Sequence, residues 1–182
     1  CHDCEADHHV LELTLPAKKP DKNVSVVVLD IDGETDVDTS ALQQPDGSVT
    51  LPAYMADFHL PKTGKQMHVG RAGQTENWTT KSNWLSWDFR VSEPGEFEVK
   101  VVTGAVGHGQ PWRGGHTVKA SVGRETLSKV LTLDEEVDSP RAQYFPEGAT
   151  KLGRVTLDKP GTHTLKLRAA DISKEVPAGL HV

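Results

Sequence analysis

The chain has 182 residues and carries 20 Lys and Arg against 26 Asp and Glu, a net charge of −6. That length suits one sizeable domain with a core of its own, and it is too short for a (β/α)₈ barrel, which needs roughly 250 residues. The acidic balance argues against nucleic acid or an anionic membrane as the main partner, and no apolar run approaches the ~20 residues needed to span a bilayer.

The sequence opens on Cys1, which points to a processed chain or a piece of a longer one. A cysteine at a mature N-terminus is also what lipoprotein processing leaves. Cys1, Cys4 and His8, with His2 and His9 beside them, form a cluster rich in zinc or copper ligand types. Glu5 stands where a haem-attachment motif needs His, and no second cysteine pair follows. The alternative for residues 1–9 is a flexible tail, with or without a Cys1–Cys4 disulfide.

Residues 10–15 alternate apolar and polar and predict a strand that ends at Pro16. Residues 24–31 are rich in β-branched side chains and predict a buried strand. Asp30, Asp32 and Asp36 lie in an oxygen-rich stretch at its end, a candidate site for structural calcium; the alternative is a solvated acidic turn. Asp134, Glu135, Glu136 and Asp138 pose the same choice. Residues 36–46 are polar and predict a linker.

Asp46-Gly47 signals a turn before a strand at residues 48–51, and residues 54–60 predict another. Residues 62–75 predict a loop. Residues 84–91 alternate strictly, which puts Trp87 and Phe89 on one face as core and leaves Trp84 near an edge or loop. A turn at Glu93-Pro94-Gly95 leads to a return strand over residues 97–102. A glycine-rich loop spans residues 104–115. Strands follow at 118–122, 126–133, 151–157 and 162–169, the last two joined at Lys159-Pro160-Gly161. Many short strands separated by Gly and Pro predict an all-β fold, an antiparallel β-sandwich.

The run Trp84-Leu85-Ser86-Trp87-Asp88-Phe89-Arg90-Val91, then Glu93-Pro94-Gly95-Glu96-Phe97-Glu98-Val99, resembles the jelly-roll, galactose-binding-like modules appended to glycoside hydrolases. So does Leu152-Gly153-Arg154-Val155-Thr156-Leu157 followed by Pro160-Gly161-Thr162-His163-Thr164-Leu165. Upstream, Leu13-Thr14-Leu15-Pro16 and Val26-Val27-Val28-Leu29-Asp30-Ile31-Asp32-Gly33 are similar to the closing strands of the sandwich that follows the barrel in bacterial α-L-fucosidases. The resemblance implies a tail at 1–9, a short β segment and linker at 10–44, and a jelly-roll module at 45–182. It brings no catalytic residue, because the barrel that would hold the nucleophile and acid is absent. Its last strand is either the short segment 179–182 or lies beyond this chain.

Hydrolysis of a glycoside needs two paired carboxylates, and no pairing is recognisable among the many Asp and Glu; no hydrolase elbow, phosphate loop or zincin motif occurs either. Sugar binding needs an aromatic platform and a few polar groups. Trp112, with His108, Gln110, Arg113 and His116 in one glycine-rich loop, supplies both. Its alternative is to cap the sandwich or pack on a neighbouring domain. Trp78 is a second candidate platform, with burial in the core the alternative. Asn23-Val24-Ser25 and Asn77-Trp78-Thr79 match the glycosylation sequon. The expected protein is a secreted, periplasmic or cell-surface accessory module whose partner is a glycan or an adjacent catalytic domain. The alternatives are a purely structural interdomain module and a metal-binding protein working through Cys1, Cys4 and the nearby histidines.

Overall fold

The alternating pattern needs a hydrogen-bonding neighbour before it becomes a strand, and the structure shows where neighbours are found. The computed structural model describes residues 14, 16–18, 21–28, 30, 32–33, 39–64, 66–140 and 143–182. The chain divides into two units, Cys1–Val37 and Asp38–Val182. In the first unit the described residues form no strand. Val24, Val26, Val27 and Val28 are 53–76% exposed, so the buried strand expected over residues 24–31 is not formed in the described part of it. β-Propensity alone does not make a strand; the ladder and the packing do. The strand expected at residues 10–15 lies outside the described residues, apart from Thr14.

The second unit contains β1 (Ala41–Leu42), a 3₁₀ turn (Ala53–Met55), β2 (Asp57–His59), β3 (His68–Val69), β4 (Thr75–Glu76), β5 (Trp84–Val91), β6 (Gly95–Gly104), β7 (Thr117–Val122), β8 (Glu125–Val130), β9 (Glu135–Val137), β10 (Glu147–Leu157) and β11 (Gly161–Asp171). It is an all-β sandwich. One sheet of six strands runs β1-β5-β11-β7-β8, with β2 also pairing with β5. The other has three strands in the order β6-β10-β9. β3 and β4 form a separate two-stranded ribbon. All pairings are antiparallel except β1 with β5. Among the described residues no helix is long and apolar enough to cross a membrane.

The strictly alternating segment at 84–91 is β5, and its inward face carries Leu85, Trp87, Phe89 and Val91, all buried. The segment after it departs from expectation. β6 does not return alongside β5 but joins the three-stranded sheet, where it pairs with β10. The link between β10 and β11 does the same: β10 lies in the small sheet, β11 between β5 and β7 in the large one. Both links therefore cross from sheet to sheet. Each contains a proline, Pro94 or Pro160, which has no N–H to give to a hairpin ladder. The true hairpin is β7–β8, in register from Thr117↔Val130 to Val122↔Glu125 around Gly123.

The stretch expected as a linker contributes more than a connection. Ala41 is buried, and Ala41–Leu42 pair with Phe89 and Arg90. Gln43 grips the crossing link after β5: its Oε1 accepts from the backbone N of Ser92 (3.0 Å) and Glu93 (2.8 Å), and its Nε2 donates to the Gly47 carbonyl. Residues 48–51 are not a strand, although the turn before them forms, with Gly47 at φ 83°. The predicted loop at 62–75 holds β3 and the start of β4.

The core lies between the two sheets. Its main cluster joins Leu85 and Trp87 of β5, Val118 and Ala120 of β7, Leu167 and Ala169 of β11, Val101 of β6 and Leu152 of β10. Met67, Trp78 and Leu180 close one end, each no more than 1% exposed. The C-terminal residues are held there by backbone: Leu180 N donates to the Trp78 carbonyl (3.0 Å), Gly104 N to His181 (2.9 Å) and Thr75 N to Val182 (2.8 Å).

Candidate functional site

The glycine-rich connection from β6 to β7 carries most of the predicted sugar-binding residues, and the structure separates them. Trp112 is half-buried and held in one pose. Its Nε1–H donates to the Thr103 carbonyl and to Thr103 Oγ1, both at 3.0 Å. Its ring lies against two glycines: a Cβ on Gly148 would stand 2.9 Å from Trp112 Nε1 and Cε2, and one on Gly114 2.7 Å from Cη2. Glycine at both positions is what lets the indole lie flat on the backbone. The remaining surface of Trp112 lines an open groove of about 510 Å³ together with Arg113, Leu131, Leu133, Glu175 and Val176. Arg113 and Glu175 are exposed, and neither joins an ion pair among the described residues.

His108 and Gln110 are exposed but face other neighbours. The His108 ring sits 5.1 Å from Tyr144 and 5.8 Å from Phe145. The Gln110 backbone closes a turn to Gly107. His116 is 2% exposed. Its Nδ1 accepts from Ser173 N at 3.1 Å. Burial pushes its pKa below the ordinary histidine value, so it is a neutral strut at neutral pH. Trp78 is fully buried, its indole among core side chains, so it presents no surface to a ligand. Tryptophan is large and apolar, and at the end of an open sandwich it fills the core rather than the rim. Of the six predicted sugar-contacting residues, the structure therefore brings together only Trp112 and Arg113; Glu175, 62 positions along the chain from Arg113, completes the groove.

A larger apolar space of about 770 Å³ lies between the sheets, walled by Trp87, Phe89, Phe97, Val101 and Leu167. Deep in it Gln74 Nε2 donates to the buried Glu147 at 2.9 Å, so those two polar groups satisfy each other.

Asp30 and Asp32 are exposed, and Asp36, Cys1, Cys4 and His8 lie outside the described residues. Among the described residues no three His, Cys, Asp or Glu gather as metal ligands would. In the second acidic run the first two carboxylates are taken by lysines. Asp134 accepts from Lys129 Nζ (2.9 Å), Thr132 Oγ1 (2.8 Å) and Lys151 N (2.9 Å), and these bonds hold its pKa far below the usual carboxylate range. Glu135 bridges Lys100 (2.8 Å) and Lys151 (2.6 Å).

No protein-family model matches this chain, and no curated protein matches it. Among solved structures it is similar to the α-L-fucosidase from Vibrio sp. strain EJY3, with a TM-score of 0.50 and 20% identity. The similarity covers 78% of this chain and 22% of that one, so this chain spans about a fifth of the enzyme's length. At that identity the likeness is one of fold.

Proposed function

We propose that this chain is a non-catalytic accessory module of a glycoside-hydrolase-type enzyme, holding a neutral glycan in the Trp112 groove. One observation carries the reading: an indole fixed by Thr103 and two glycines leaves a surface open in a groove shared with Arg113 and Glu175, neither of which joins an ion pair among the described residues. A sugar needs an apolar platform plus a donor and an acceptor for its hydroxyls. Fixing the platform in advance lowers the ordering cost of binding. The sandwich shared with part of a fucosidase supports the setting, and fucose-bearing oligosaccharides are the first ligands to test. The test is titration of the full chain with neutral oligosaccharides, followed by intrinsic tryptophan fluorescence. Binding should fall at least about tenfold in Trp112→Ala and in Glu175→Gln. No binding by any neutral glycan, or unchanged binding in both variants, defeats the reading.

A second reading, a spacer that docks on a neighbouring domain, is favoured by the exposed Val24, Val26, Val27 and Val28. A run of valines left in water is suited to burial against another sheet or chain.

A further inference from the structure

The outer face of the six-stranded sheet carries a cation cluster that the sequence does not reveal, because it forms only when Lys119 of β7 is brought beside Lys166 and Arg168 of β11. Register places Trp84, Arg168 and Lys119 side by side on β5, β11 and β7. Arg168 and Lys119 are directly opposite one another. Lys166 lies two residues back on β11 and points to the same side. All three cations are exposed, and none meets a carboxylate among the described residues. Like charges directly opposite in a sheet repel and destabilise the pair. In a chain of net charge −6, with acidic residues to spare, leaving three cations uncompensated at adjacent positions is the reverse of what stability alone selects.

The cluster is also held in place. The Arg168 guanidinium lies 3.9 Å from the Trp84 ring centre and Lys166 Nζ 5.9 Å from it. His59 stacks on the ring at 3.4 Å with the planes 5° apart, and is itself bonded to Ser86 Oγ at 2.8 Å. Because β2 and β11 flank β5 on opposite sides, His59 and Arg168 cover the two faces of the indole. Trp84 is thus a fixed post for cations and not an open platform. Beside the cations the register sets Ser121 opposite Lys166 and Ser128 opposite Lys119, but their hydroxyls are engaged with Thr126 Oγ1 and the Val118 carbonyl, so the cations are the groups left for an anion.

We propose that this face binds an anionic polysaccharide through carboxylate or sulfate groups held by Lys119, Lys166 and Arg168. Strands about 4.8 Å apart set two cations within reach of one such group. None of the three cations lines either cavity described above, and an open sheet face suits an extended polymer more than a small molecule, which favours concave sites. Single-stranded nucleic acid is disfavoured because neither face of Trp84 is open for a base to stack on. An anionic membrane is disfavoured because such surfaces are read by clusters of about four to eight basic residues. The polysaccharide identity rests on the reading of the chain as a glycan-associated module; the anion site rests on the register and the distances.

The test uses the full chain with dextran sulfate, polygalacturonate, uncharged dextran and duplex DNA, by calorimetry at about 50 mM and about 200 mM NaCl. The expected result is binding to at least one of the two acidic polysaccharides, weakened about tenfold or more by the higher salt, with none to dextran. Lys119→Gln should weaken it at least about fivefold without lowering the thermal midpoint, since it removes a repulsion and leaves the Trp84 stack intact. Lys166→Gln should weaken it by as much, though it also gives up the Lys166 contact with the Trp84 ring. Trp112→Ala should leave it unchanged, so loss of neutral-glycan binding in that variant separates the two sites. Failure of both acidic polysaccharides, no effect of either lysine variant, or tighter binding to DNA overturns the proposal, whatever happens in the Trp112 groove.

Discussion

Replacing Gly179 by alanine tests whether the C-terminal residues are part of the sandwich or an attachment to it. Gly179 is buried at φ 93°, in the left-handed region that side chains disfavour. A Cβ there runs into the Trp78 carbonyl oxygen and comes within 3.1 Å of Thr79 Cγ2. That carbonyl cannot move freely, because it accepts from Leu180 N at 3.0 Å and belongs to a residue sealed in the core. The backbone strain costs about 1–2 kcal/mol, and loss of the hydrogen bond about 0.5–1.5 kcal/mol. With some displacement of Trp78, the total is about 2–4 kcal/mol. For a domain of this size that lowers the thermal midpoint by about 4–15 °C. Gly64 is the control: it has φ 100° but open space around its would-be Cβ, so Gly64→Ala should lose only the strain, about 1–2 kcal/mol. Calorimetry or thermal circular dichroism of the two variants beside the parent decides the matter. If Gly179→Ala costs no more than Gly64→Ala, the packing of Trp78 under the C-terminal segment is misdescribed.

Gln43→Ala should cost about 0.5–1.5 kcal/mol in urea unfolding, since the exposed N–H groups of Ser92 and Glu93 exchange its Oε1 for water. An unchanged midpoint would show that the crossing link holds without it. Gly148→Ala pushes on Trp112 and on Leu133 Cδ1, 2.5 Å away, so it should shift tryptophan emission and weaken neutral-glycan binding while the fold survives. Unaltered emission and affinity would mean the indole does not rest there. His116 and His181 have pKa values lowered chiefly by burial. With the folded value below the unfolded one, near 6.5, the unfolded state binds more protons as pH falls. Stability is then complete above about pH 7 and is lost progressively below about pH 6.5. Urea midpoints between about pH 7.5 and about pH 5.5 should fall, and less steeply in His116→Asn; a flat profile contradicts the burial.

Local pattern and partner choice were not equally legible. Residues 84–91 declare a half-buried strand by alternation, and β5 has those bounds, with Trp87 and Phe89 inside as expected. The β7–β8 hairpin is equally plain, since Gly123-Arg124 links two strands that need no other information to find each other. Sheet membership is another matter. A pleat specifies which side chains face inward but not which neighbour supplies the hydrogen bonds, so β6 and β11 each look like the return arm of a hairpin when each belongs to the opposite sheet. The Val24–Val28 run shows the same limit: a strong strand pattern forms no strand there and leaves the valines exposed.

The candidate sites follow this division. Trp112 stands out in the sequence because a large aromatic sits in a glycine-rich loop, but its pinning depends on Gly148, 36 positions along the chain, and on Thr103 across the small sheet. Glu175 carries no local signal at all. Trp78 and His116 look like ligand residues by type and prove to be core and strut, because burial is decided by the C-terminal segment that folds over them. The Lys119–Lys166–Arg168 cluster exists only once β7 and β11 are in register. The alternating strand pattern marks each as outward-facing, but nothing in it says that they meet.

Titration of the full chain with a panel of neutral fucose- and galactose-bearing oligosaccharides, in parallel with Trp112→Ala, tests the Trp112 groove as a glycan site. Saturable binding by at least one of them is expected, weakened at least about tenfold by the substitution. Absence of binding across the panel, or binding indifferent to Trp112, contradicts that role for the groove.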